Sequence, residues 1–120
     1  MNPKRNNALD AIGVGKSSGG KTVSIPADGT RTTVASITVE SDGIYLVTAN
    51  VYTNENTLDN RKVDQAYIYI NDDEKNSDWV LLSKQFAAVY WIGKGDIISV
   101  KCRAWQKCNV EGGMHILRLK

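Results

Sequence analysis

The sequence is poor in the residues that most chemistry needs. It has one histidine, His115, and two cysteines, Cys102 and Cys108, with no second cysteine pair. A zinc centre needs four ligands, or three and a water, so this is not a metal pattern and no metal ligand is assigned. Nucleophile–base catalysis needs a base. His115 lies inside a strand-like segment, where a structural or interface role is expected, so no catalytic residue is assigned and the chain is read as a non-enzyme. Carboxylates such as Asp72 and Asp73, or Asp59 and Asp64, fall in polar connections as solvated charge. Glycoside hydrolysis requires two carboxyls held across a cleft, and the sequence gives no sign of one. No cofactor is implied.

An excess of one charge is also missing. Fifteen basic and 13 acidic residues give a net charge of +2, and the basic residues are scattered, with no cluster tighter than pairs such as Lys4-Arg5 and Arg61-Lys62. That balance makes no electrostatic case for nucleic acid or an anionic membrane. Long apolar runs are absent too. "FAAVYWI" is far too short to span a bilayer, and the opening "MNPKRNNALDAIGVGKSSGG" has no signal-type apolar stretch. The expectation is synthesis in a cytoplasm, with any extracellular role depending on another exit such as cell lysis. For the cysteines, two reduced and mostly buried thiols are the main reading. A hairpin disulfide across "AWQK" is the alternative.

What is present points to one folded domain. Hydrophobic residues make up 42% of 120 residues, which is enough for a single core. One motif stands out: "GKSSGGKT", Gly15 to Thr22, matches the phosphate-loop pattern letter for letter. A working phosphate loop is followed by a helix whose N-terminal amides hold the phosphates. Here "VSIPADGT" follows: β-branched residues, Pro26, then a turn. Nucleotide binding through Gly15–Thr22 is therefore the remotest of the functional readings. Residues 1–20, rich in Gly, Asn and Ser, read as a flexible arm or linker, with Lys21 and Thr22 opening the first strand of a domain over 21–120.

From Lys21 onward, short strands alternate with turn signals. "TTVASITVE", "GIYLVTANVYT", "QAYIYIN" and "DIISVKCRAW" are strand-like. "NENTLDNRK" and "DDEKNSD" read as polar and charged loops, and "GKGD" as a tight turn. "WVLLSKQFAAVYWI" reads as a long strand bent or broken near Ser83-Lys84, with some helical character in its Ala and Leu content. Ile98, Val100, Cys102 and Ala104 share one face. Regular turns and no convincing long helix predict an all-β sandwich or jelly roll. Two strands are apolar on both faces. In "GIYLV", Ile44 and Leu46 oppose Tyr45 and Val47; in "MHILRL", Met114 and Ile116 oppose Leu117 and Leu119. A sandwich has one core, so the second apolar face needs a cover, and a neighbouring subunit is the simplest.

"DGIYLVTANVY", "KGDIISVK" and "GGMHILRLK" resemble, in order and spacing, the tumour-necrosis-factor-like and complement globular-head jelly rolls. The resemblance covers roughly residues 21 to 120. Val47 stands where the family usually has an aromatic. The resemblance implies a jelly-roll β-sandwich of about 8–10 antiparallel strands assembling as a homotrimer. Its interface roles carry over to Tyr45, Leu46, Leu117 and Leu119. The calcium sites of some members do not carry over, for want of a matching carboxylate cluster. Without a collagen-like or coiled-coil stalk, the chain looks like a bacteriophage virion protein: a tail-fibre tip, receptor-binding head or capsid decoration. The arm over 1–20 would then dock it on the larger particle, and a bacterial surface glycan or protein would be its partner.

The aromatics supply the ligand candidates. Trp91 lies in an apolar run and reads as core. Trp79 follows the charged loop, and Trp105 continues the solvent-facing Ser99, Lys101 and Arg103. An exposed Trp stacks on a sugar ring while neighbouring polar groups fix its orientation. Trp105 with Arg103, and Trp79 with Asp78, are the candidate contacts. Packing of each Trp against a neighbouring subunit or loop is the competing reading.

Overall fold

The computed structural model describes residues 12–13 and 15–120; of the expected arm over 1–20, residues 1–11 and 14 lie outside them. Eight strands form among the described residues: β1 (Gly15–Ile25), β2 (Thr32–Thr38), β3 (Gly43–Tyr52), β4 (Val63–Ile70), β5 (Asp73–Trp79), β6 (Ser83–Ile92), β7 (Ile97–Ala104) and β8 (Cys108–Arg118). They pair in two four-stranded antiparallel sheets, in the orders β1-β8-β3-β6 and β2-β7-β4-β5. The period-two alternation of a strand decides what each sheet buries. Tyr45, Val47 and Val51 of β3 and Ile116 of β8 meet Ile68 of β4 and Ile98 and Val100 of β7 in one sandwich core. The expected face of Ile98, Val100, Cys102 and Ala104 is fully buried.

Two expectations change. Gly15–Gly20, read as arm, is strand: it pairs with β8, and the register shifts between Gly19 and Thr22. Gly19 and Gly20 form that irregularity with φ of 121° and 85°, a conformation side chains resist. A Cβ on Gly19 would lie 2.3 Å from the Gly112 carbonyl oxygen. The glycines of "GKSSGGKT" thus serve strand pairing; the segment is extended, with no helix beginning at Lys21. Second, the charged loop "DDEKNSD" contributes most of β5, an edge strand whose seven residues are all exposed. Charge on an edge strand blocks pairing with other chains, so its polarity reflects its edge position. The break expected near Ser83-Lys84 is present: β5 ends at Trp79 and β6 begins at Ser83, strand throughout.

Both thiols are free and buried. Cys102 lies in β7 and Cys108 opens β8, on different sheets. Burial pushes the Cys102 thiol up to about 12.

Candidate functional site

Two surfaces collect the residues that the sequence singled out. The first is the outer face of the β1-β8-β3-β6 sheet. Leu46 stands between Val89 of β6 and Leu117 of β8, and Ile44 is paired with Trp91. Leu119 follows β8, and its amide donates to the Ile44 carbonyl. Trp91 is 65% exposed and Val89 54%. These two rows make a continuous apolar patch at one end of the sheet. Trp91, expected in the core, faces outward because it sits opposite Ile44 and so shares its outward parity. Tyr45 corrects in the other direction. It is fully buried and donates its hydroxyl to the Ser41 carbonyl at 2.7 Å, so it packs the core and does not reach the outer face. Of the interface residues expected, Leu46, Leu117 and Leu119 lie on that face.

Further along the same face the character turns polar. Thr48 is paired with Ala87 and His115, and His115 with Ser17. Ser17 Oγ and His115 Nδ1 are 2.8 Å apart. Gly15 allows this imidazole to lie over its backbone: a Cβ there would come within 2.3 Å of the ring. An open groove of about 520 Å³ runs past Ser17, Thr48, Gln85 and His115. Among the described residues no carboxylate bonds the imidazole.

The second surface lies at one end of the β2-β7-β4-β5 sheet. Gln65 of β4 is paired with Trp79 on one side and Arg103 on the other. Directly opposed residues project from the same face, so Trp79, Gln65 and Arg103 form one outward row. Trp79 and Trp105 are 58% and 56% exposed. Arg103 makes a two-point contact with Asp64, Nε to Oδ1 at 3.1 Å and Nη2 to Oδ2 at 2.8 Å. The Trp105 indole also donates to Asp64 Oδ2, at 3.1 Å. The Arg103 guanidinium lies 5.3 Å from the Trp105 ring centre, and the six-membered ring of the indole lies close against Gly29. Burial pushes the Asp64 carboxyl up, but Arg103 and the indole N–H outweigh it and hold the group below its ordinary range. The same contact raises Arg103. Asp64, expected as solvated loop charge, is thus the anchor of the cluster.

Arg103 and Trp105 are brought together as expected; Asp78 meets Trp79 at the backbone, where the Trp79 amide donates to Asp78 Oδ1 at 2.8 Å, and not through the indole face. Asp78 is opposite the buried Ala66, on the other parity from Trp79. Its carboxylate bonds Lys84 Nζ of β6 at 2.6 Å, bridging the two sheets at their open side.

Beyond this row the outer face continues as stacked cations and rings. Arg31 lies 4.0 Å from the Tyr67 ring centre, donates to the Tyr69 hydroxyl and pairs with Glu74. Lys101 lies 4.5 Å from the Tyr69 ring centre. Tyr67 and Tyr69 alternate with the buried Ala66, Ile68 and Ile70, which puts both tyrosines on the outer face. Nothing in the linear order placed Arg31 over them, because that contact spans 36 residues of chain.

No family model and no curated protein matches this chain. Solved structures do. Eiger TNF from S. frugiperda superposes with a TM-score of 0.58 at 14% identity, over 88% of this chain and 92% of that one. Rabbit GITRL gives 0.54 at 10% identity, over 82% and 93%. The VP2 subviral particle protein of infectious bursal disease virus gives 0.56 at 9% identity, over 88% of this chain and 32% of that one. At such identities the likeness is one of fold: two antiparallel sheets, eight strands among the described residues, a TNF-like jelly roll.

Proposed function

We propose that this protein is a non-enzymatic, homotrimeric jelly-roll module of a bacteriophage particle that binds a bacterial surface saccharide. The observation that carries the proposal is the apolar patch of Ile44, Leu46, Val89, Trp91, Leu117 and Leu119, outside a sandwich that already has a filled core. Two copies of the same patch cover it on every subunit of a closed ring, as the resemblance to trimeric jelly rolls implies. The virion setting rests on the resemblance to phage jelly rolls. The receptor role is supported by the row of Trp79, Gln65 and Arg103 with Trp105 at its end, aromatic faces beside fixed polar groups.

A structural role without a receptor, as a capsid decoration or fibre-attachment piece, is favoured by one observation. Trp105 is held by Asp64, Arg103 and Gly29 within its own chain, as a packing residue would be. Light scattering tests the assembly: the expected mass is three times the 13.2 kDa of the chain, and a monomer at micromolar concentration overturns the trimer. Titration with cell-wall glycans, followed by tryptophan fluorescence, separates the two roles. A saturable change supports receptor binding; no response to any of them leaves the structural role.

A further inference from the structure

Three polar side chains are buried among the described residues: Thr53, Asn56 and Ser99. Thr53 bonds the Asn109 carbonyl and the Glu55 amide. Asn56 bonds the backbone of Val63 and Val80. Ser99 is 5% exposed, and its hydroxyl has no hydrogen-bond partner among the described residues. Buried polar groups are nearly always satisfied, and an exception calls for a missing partner. Ser99 does not point into the core, since Ile98 and Val100 on either side of it do. It forms part of the lining of an open groove of about 380 Å³ on the outer face of β7.

Asn71 in the wall of that groove is bonded to Asp96 and to the Ile97 amide, but other wall residues are unpaired as Ser99 is. Thr33 and Ser36 line it, and neither hydroxyl bonds another described residue. Lys101 stands at one end, its ammonium over the Tyr69 ring. Other cations of this sheet face have carboxylates, Arg31 with Glu74 and Arg103 with Asp64, but Lys101 has none among the described residues. At the other end Ile97 is 46% exposed, and the carboxylate of Asp72, which also lines the groove, has no partner among the described residues. From Ile97 to Lys101 the strand rises roughly 13 Å, longer than a single pyranose ring.

We infer that this groove is a binding site for an acidic disaccharide unit, a uronate-containing glycan. Lys101 takes the uronate carboxylate as a charge-assisted contact. Ser99, Ser36 and Thr33 both donate to and accept from ring hydroxyls. Asp72 accepts from the hydroxyls of the second ring, whose apolar face rests on Ile97. The inference shares its ligand class with the receptor reading above but places the contact on β7, away from the Trp79 and Trp105 row.

The test is amide chemical-shift mapping of the full chain with a β-linked glucuronyl-glucose disaccharide, with cellobiose as its neutral counterpart. The expected result is saturable shifts at Ser36, Ser99 and Lys101 with the acidic sugar, and at least tenfold weaker binding of cellobiose. Lys101→Met should abolish that preference. Ser99→Ala should weaken binding by about tenfold while its Tm stays level or rises, because a group that is unpaired in the free protein is removed. A merely structural Ser99 would lower the Tm. Shifts confined to Trp79 and Trp105 overturn the groove and leave the receptor reading standing. No shifts with either sugar overturn the groove; the glycan fluorescence titration then decides the receptor reading separately.

Discussion

At the residue scale, the segment that looked most like a nucleotide site turns out to be governed by close packing. Gly19 meets the Gly112 carbonyl and has a φ of 121°, whereas Gly20, at 85°, has open space around its missing Cβ. Gly19→Ala should therefore cost about 2–4 kcal/mol, from backbone strain and overpacking together. Gly20→Ala should cost only the conformational part, about 1 kcal/mol. Urea denaturation of the two variants checks the difference; equal losses would mean that the contact with Gly112 contributes nothing. The Cys102 thiol is also decided locally. Burial that raises it to about 12 leaves almost no thiolate at neutral pH, and the thiolate is the reactive form. An aromatic disulfide reagent should label Cys102 only as fast as the protein unfolds, with full labelling in denaturant.

At the scale of elements, Asp64 joins β4 to β7 through Arg103 and to the following turn through Trp105. Its proton is bound less readily in the folded chain than in the unfolded one. Its stabilising contribution is therefore complete above the unfolded carboxylate value of about 3.9. It fades as pH falls through the still lower folded value. Wild type should exceed Asp64→Asn in urea midpoint at pH 7, and the gap should close in acid. A gap that widens on acidification would reverse the assignment. Little of this was legible in advance. Asp64 sits in a polar stretch, and the strand that makes it structural is recognised by "QAYIYIN" after it. The edge strand β5 was hidden for a related reason: edge position selects charge, and charge reads as loop.

At the scale of the whole molecule, the prediction concerns assembly. Leu46→Glu puts a carboxylate in the middle of the apolar patch, between Val89 and Leu117, on a partly exposed strand face. Light scattering should show the assembled mass falling to that of the chain, with the fold retained by circular dichroism. The same substitution at Tyr45 should unfold the protein, because that side chain fills the core. An assembly unaffected by Leu46→Glu would remove the patch as its interface.

The sequence by itself determined the class of fold and the two faces of nearly every strand, since alternation sets the parity of side chains whatever the partners. It also showed that "GIYLV" and "MHILRL" have an apolar face too many. Alternation does not say which of two apolar faces is the inner one, nor which residues stand opposite across strands. Only the tertiary structure sent Tyr45 inward and Trp91 outward, because the register of β3 against β6 pairs Trp91 with Ile44. Only the register of β4 with its two neighbours set Gln65 between Trp79 and Arg103 and turned Asp78 to the other side. The unpaired hydroxyl of Ser99 is legible in no local pattern, since the absence of a partner is a property of everything packed around it.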